Sequence, residues 1–187
     1  MTEEARIRGG LLALALLVSL AGPALGDEAA IGEGGGGYLP LGDGWGTSSD
    51  IDIIEPNEIS SWSLTPGEDN IISQGITLKV KADAAWSVSV SDGDKTTNGK
   101  MTEYDTINEQ YVDQNPKQLG AFMMVKANGD YVTLPEGGEI AGSTSDTGGV
   151  YVDVPITLKQ TVSGSDPISA DNREYRILIT YTGSITI

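Results

Sequence analysis

The sequence predicts an all-β protein: a single antiparallel β-sandwich, immunoglobulin-like or jelly-roll-like, behind a flexible Gly-rich N-terminal leader. From residue 50 onward, apolar and polar residues alternate with a period of two in several short segments. Turn residues, mostly Gly, Asn, Asp and Pro, separate these segments, and none of them carries a sustained helical stripe. Short strands joined by such turns are typical of a β-sandwich.

The alternation is strongest in four segments: 76–82, 86–91, 150–159 and 175–181. Five weaker strand candidates are 51–54, 59–64, 121–127, 131–134 and 185–187. Asn128-Gly129-Asp130, between two apolar runs, predicts a hairpin. The polar stretch of about 92–118 contains Pro116 and is predicted to contain no strand and at most a helical turn.

Residues 1–26 have the pattern of a secretory signal peptide. Arg6 and Arg8 precede an apolar run over residues 11–20, and a small-residue site follows at Ala24-Leu25-Gly26. The apolar run is roughly half of the ~20 residues that a bilayer span needs, which favours cleavage over an uncleaved anchor. The prediction is a secreted, extracellular protein of the cell surface, with no membrane span after signal removal.

Residues 27–49 are rich in glycine and are predicted to form a flexible arm ahead of a sandwich domain over residues 50–187. Gly32-x-Gly34-x-x-Gly37 matches the dinucleotide-binding fingerprint as a string. That motif works only between a strand and a helix, and neither is predicted there. Trp45 also lies in the arm, where it either anchors a partner or folds back onto its own domain.

Composition excludes several kinds of chemistry. The chain has no His and no Cys, so it has no Ser-His-Asp triad, imidazole metal site, disulfide or thiolate nucleophile. With 27 acidic and 11 basic residues its net charge is −16, which argues against nucleic acid as a partner. A carboxylate-pair glycosidase needs no His, but the sequence singles out no such pair. We expect a protein that is not an enzyme.

Asp92-Gly93-Asp94 is the candidate metal site. Alternating carboxylates on a turn are suited to calcium, with Asp83 or Asp105 as further oxygen ligands. The segment lacks the fuller spacing and terminal Glu of a calcium loop, and two aspartates around a glycine also form ordinary solvated turns. No other cofactor is indicated.

Two tryptophans head alternating segments, Trp62 and Trp86. Such residues more often belong to the core than to a ligand-stacking pair. A separate strand candidate, with Ile51, Ile53 and Ile54, lies between the arm and the sandwich. It either pairs within its own sheet or is donated to a neighbouring subunit, where backbone hydrogen bonds along a free edge provide the contact.

Several short motifs occur in a characteristic order. They are Trp62-Ser63-Leu64, Trp86-Ser87-Val88-Ser89-Val90, the loop Thr97–Thr102, Gln160-Thr161-Val162 with Asp166, and Tyr175–Gly183. Over residues 50–187 this order resembles secreted archaeal β-sandwich domains related to the WxL surface domains of Gram-positive bacteria. The resemblance implies a non-catalytic role at the cell surface. Tyr181-Thr182-Gly183 stands where the bacterial pattern has a second Trp-x-Leu.

Two functions remain open from the sequence. The first is a structural protein that assembles with copies of itself into a filament, sheath or surface layer through a donated N-terminal strand. The second is a monomeric module that recognises a cell-wall glycan or a surface protein through the loop region 92–118.

Overall fold

The structure, a computed structural model, describes residues 50–186 and the backbone of residues 7–11. These residues form an all-β fold without a helix, as the sequence predicts, and so none of them forms a helix long and apolar enough to span a bilayer. Residues 1–6 and 12–49 lie outside the described residues. The described part therefore leaves the predicted signal peptide and arm, including Trp45, untested.

The fold consists of short strands. They are β1 (Ile7–Leu11), β2 (Ile51–Ile54), β3 (Ile59–Leu64), β4 (Asp69–Ile72), β5 (Thr77–Ala82), β6 (Trp86–Asp92), β7 (Thr102–Asp105), β8 (Gln110–Tyr111), β9 (Met124–Lys126), β10 (Val132–Thr133), β11 (Gly138–Ser143), β12 (Val152–Pro155), β13 (Thr157–Thr161), β14 (Arg173–Arg176) and β15 (Ile179–Ile185).

The strands form four sheets. Their orders are β3-β1-β14-β7-β8, β10-β9-β13-β4, β11-β6-β15 and β12-β5-β2. Each strand pair is antiparallel except β1 with β14, which run parallel. The predicted hairpin at Asn128-Gly129-Asp130 is confirmed: it joins β9 to β10, with Val125 opposite Val132, and Gly129 takes a φ of 97°.

One continuous apolar core lies between the sheets. The alternation seen in the sequence puts Leu78 and Val80 of β5, and Val88 of β6, completely out of solvent. Burial of each such side chain stabilises the fold by about 1.5–3 kcal/mol. Trp62 and Trp86 are 7% and 6% exposed and belong to this core, which confirms their predicted structural role.

Two segments that the sequence predicts as single strands are each divided. Residues 150–159 divide at Ile156, because β12 pairs with β5 whereas β13 pairs with β9 and β4 of another sheet. Residues 175–181 divide after Arg176, since β14 and β15 also lie in different sheets. A strand that turns a corner of a sandwich keeps its apolar alternation while its ladder partners change. The sequence pattern therefore shows no break.

The prediction for residues 92–118 is wrong, because this stretch contains the strands β7 and β8. Three consecutive residues of β7 are buried, Thr102, Glu103 and Tyr104. A strand that is buried on both faces and contains polar residues has no alternation to detect.

Candidate functional site

The strand Ile51–Ile54, predicted as a subunit contact, lies in its own chain as the outermost strand of the sheet β12-β5-β2. Ile53 is opposite Val80, and Ile54 is opposite Lys79. Ile51 and Ile53 pack partly buried against the core, whereas Ile54 is 46% exposed. The outer edge of β2 has no strand partner among the described residues. Contact with another subunit through Ile51, Ile53 and Ile54 stays a prediction.

Two further contacts hold β2 in place. A Cβ atom at Gly183 of β15 would lie 2.5 Å from Cδ1 of Ile53 and 2.9 Å from Cδ1 of Ile51, so only glycine allows this approach without a shift. On the outer face, the Tyr151 hydroxyl donates a hydrogen bond to Asp52, which raises the pKa of Tyr151. This bond connects the segment before β12 to β2, across β5.

Asp92 and Asp94 organise the loop that follows β6. Asp92 Oδ1 accepts a hydrogen bond from the Asp94 amide at 3.1 Å. Its Oδ2 accepts from the Thr97 hydroxyl at 2.6 Å and from the Gly99 amide. Asp94 Oδ1 accepts from the Thr96 amide and hydroxyl at 2.9 and 2.7 Å. Both carboxylates thus bind donors of their own loop, as in a closed Asx turn.

The other two aspartates considered as calcium ligands accept hydrogen bonds elsewhere, Asp83 from the residue that precedes β2 and Asp105 from its own turn. Asp83 accepts from the Asp50 amide at 2.7 Å. Asp105 accepts from the amides of Ile107 and Asn108 at 2.9 and 3.1 Å, and these bonds lower its pKa. Across the described residues, no three carboxylates come together in a group that could hold a metal ion. The calcium site at Asp92 and Asp94 stays a prediction.

A buried carboxylate that the sequence does not reveal lies on β7. The side chain of Glu103 is 1% exposed. Its Oε1 accepts from the Ala170 amide at 3.2 Å, and its Oε2 accepts from the Lys117 amide and from Arg173 Nη1, both at 3.3 Å. Lys117 Nζ lies 3.6 Å from Oε1. Two cations and two amides thus balance one buried negative charge.

Glu103 and its partners connect the segment before β14 to β7. Lys117 Nζ also donates to the Ile168 carbonyl at 2.7 Å, and the Thr106 amide donates to the Asn172 carbonyl at 3.0 Å. A groove of about 450 Å³ lies beside these contacts, between Thr106 and residues 168–174. No signal in the sequence indicates this arrangement, because a Glu in a polar stretch normally lies in solvent.

Aromatic residues pack near the Asp92 loop. The rings of Tyr104 and Tyr111 meet edge to face, with centroids 5.4 Å apart, and the Arg176 guanidinium lies 4.0 Å from the Tyr104 centroid. Burial raises the pKa of Tyr111, and the nearby charges of Asp94 and Asp92 raise it further.

No protein-family model, curated protein or solved structure matches this chain.

Proposed function

We propose that this chain is a secreted, non-catalytic structural protein of the cell surface that assembles with copies of itself through an N-terminal strand. The observation that carries the proposal is the position of β1. Ile7–Leu11 pairs with β3 on one side and with β14 on the other, although residues 12–50 separate it from the rest of the fold. This strand lies within residues 1–26, the segment predicted to be removed on export, so in the exported protein another strand must take its place between β3 and β14.

A strand that completes a sheet from a distance is suited to exchange between copies. Its contact is made through main-chain hydrogen bonds, which form equally well with a strand from another molecule. When one copy donates and the next accepts, the contact is head-to-tail and does not close, so it produces a filament. The outer edge of β2, which pairs with no strand in the part of the chain that the structure describes, is a second backbone surface for a neighbour.

The test is the size of the secreted protein. We would express the full chain for export, determine the N-terminus of the product by mass spectrometry, and measure particle mass by light scattering in calcium and in chelator. A variant that lacks residues 27–49 retains β2. A matched variant replaces residues 27–49 with a Gly/Ser linker of the same length.

We expect the parent to form particles far larger than the 19.5 kDa chain, and both variants to be monomeric. Loss of assembly in the linker variant would assign the contact to the arm sequence, not to its length. A parent that is monomeric in calcium and in chelator would contradict the proposal.

The groove beside Glu103 favours a second candidate, a monomeric module that binds a cell-wall glycan or a surface protein. Exposed Ile107 and Ile168 flank this region, at 70% and 56% exposure, and polar residues line the groove. A binding module keeps its activity without residues 27–49. Co-sedimentation of that variant with insoluble cell-wall polysaccharide, reduced by I107A or I168A, would support this candidate over assembly.

A further inference from the structure

β3 is joined to its sheet through a single neighbour. Among the described residues, Ile59–Leu64 pairs with β1 alone, and β1 lies between β3 and β14. We name the space between β3 and β14 the strand slot. Neighbouring strands lie about 4.8 Å apart, so the axes of β3 and β14 lie about 10 Å apart. This distance leaves room for one strand between them.

The core opposes closure of the strand slot. Trp62 and Leu64 of β3 and Tyr175 of β14 are all buried in the same apolar cluster. Direct pairing of β3 with β14 would require β3 to move by about 5 Å, which would pull Trp62 and Leu64 away from that cluster. An empty slot also leaves the inner backbone edges of both strands unpaired. The slot therefore needs an occupant.

The pairing of β1 with its two neighbours limits the size of the residue at the centre of the strand slot. Gly9 lies opposite Trp62 on one side and opposite Tyr175 on the other. Position 9 is thus flanked by two large buried aromatic residues, and a small residue is required there. The predicted arm supplies small residues: residues 27–49 contain Gly32, the run Gly34–Gly37, Gly42, Gly44 and Gly46.

The occupant seen in the structure belongs to the segment predicted to be removed on export, residues 1–26. We propose that the strand slot is a strand-acceptor site and that, in the exported protein, the N-terminal arm (residues 27–49) of a second copy fills it. This inference rests on the proposed function and assigns the acceptor side of the contact. The glycine-rich sequence of the arm supplies the small residue that is required opposite Trp62 and Tyr175.

A peptide that copies the observed occupant tests the slot. A synthetic peptide of residues 5–13 would be added in excess to the assembled secreted protein, with the same peptide carrying Gly9→Trp as the control. We expect the parent peptide to convert assemblies to monomers that bind one peptide each. The Gly9→Trp peptide is expected to bind at least 10-fold more weakly, since a Trp at position 9 collides with Trp62 and Tyr175.

Each other result overturns a specific part of the inference. Assemblies unaffected by the peptide would exclude the strand slot as the contact but leave self-assembly intact. A monomer that retains residues 7–11 would show the slot filled by its own chain. A monomer that begins at residue 27 and binds no peptide would show a closed slot, and it would contradict the proposed function as well.

Discussion

At the scale of single residues, Glu103 connects three parts of the chain that are distant in sequence. Its carboxylate receives donors from Lys117, Ala170 and Arg173, and its side chain is sealed from solvent. Both cations are partly exposed, so water solvates them whereas the carboxylate depends on protein donors. A buried acceptor whose donors all come from the protein is costly to alter.

We expect Glu103→Gln to destabilise the fold by about 2–4 kcal/mol, because an amide NH₂ would face amides and cations that require an acceptor. The measurement is urea unfolding at neutral pH. Glu58→Gln is the matched control at an exposed position and should change stability by less than about 0.5 kcal/mol. A Glu103→Gln variant as stable as the control would show that water replaces these contacts.

Asp92 and Asp94 differ in how much of the loop they hold. Asp92 accepts three hydrogen bonds that span the loop to Gly99, and Asp94 accepts two from Thr96 alone. We therefore expect Asp92→Ala to cost about 2–3 kcal/mol and Asp94→Ala no more than about 1 kcal/mol. Thermal unfolding in chelator measures this ranking without metal.

The same variants test the predicted calcium site. If Asp92 and Asp94 bind calcium, added calcium raises the Tm of the parent with saturation, and both substitutions abolish that rise. If the carboxylates only hold the loop, the difference in Tm between parent and variants is the same in calcium and in chelator.

At the scale of the strand, β2 is held by side-chain packing against β15. Ile51 and Ile53 cover the backbone of Gly183, and no larger residue fits there without a shift. A strand seated in this way is part of its own subunit's core. Its outer edge, in contrast, pairs with no strand of the described residues, so it offers backbone groups to another molecule.

A double-mutant cycle tests the packing of β2 against Gly183 of β15. Gly183→Ala should cost about 1–3 kcal/mol by overpacking, and Ile53→Val about 0.5–1.5 kcal/mol. Because Ile53→Val removes the Cδ1 atom nearest to the new methyl group, the double variant should lose at least about 0.5 kcal/mol less than the sum. Urea unfolding gives all four values.

The control cycle pairs Gly183→Ala with Ile72→Val on β4, which lies in a different sheet. We expect simple additivity there. Additivity in both cycles would mean that β2 leaves its own sheet in solution, as a donated strand does.

At the scale of the whole molecule, a net charge of −16 opposes every contact between copies. The Debye length falls from about 30 Å at 10 mM salt to about 8 Å at 150 mM. We expect assembly, measured by light scattering, to increase over this range. Magnesium and calcium at equal ionic strength should act alike if screening is the cause. Assembly that decreases with salt would instead indicate ion pairs between copies.

Local alternation determined most of the fold class. Residue type alone predicts strands β5 and β6 and the hairpin at Asn128-Gly129-Asp130. The reason is that the side chains of a strand alternate between a buried and a solvent-exposed face. The structural role of Trp62 and Trp86 follows in the same way. The absence of His and Cys limited the chemistry before any fold was known.

Only the tertiary structure decided where strands change sheets, that β7 is a buried strand, and that Glu103 contacts its three partner residues. Strand pairing between β7 and β14 brings residues 103 and 173 together, and backbone hydrogen bonds from Glu103 to Lys117 and from Arg173 to Ala170 add the other two residues. No local pattern encodes that proximity. No sequence pattern indicates the strand slot either. It exists because β3 and β14 each present a backbone edge to the same space, and backbone edges are the same for every residue type.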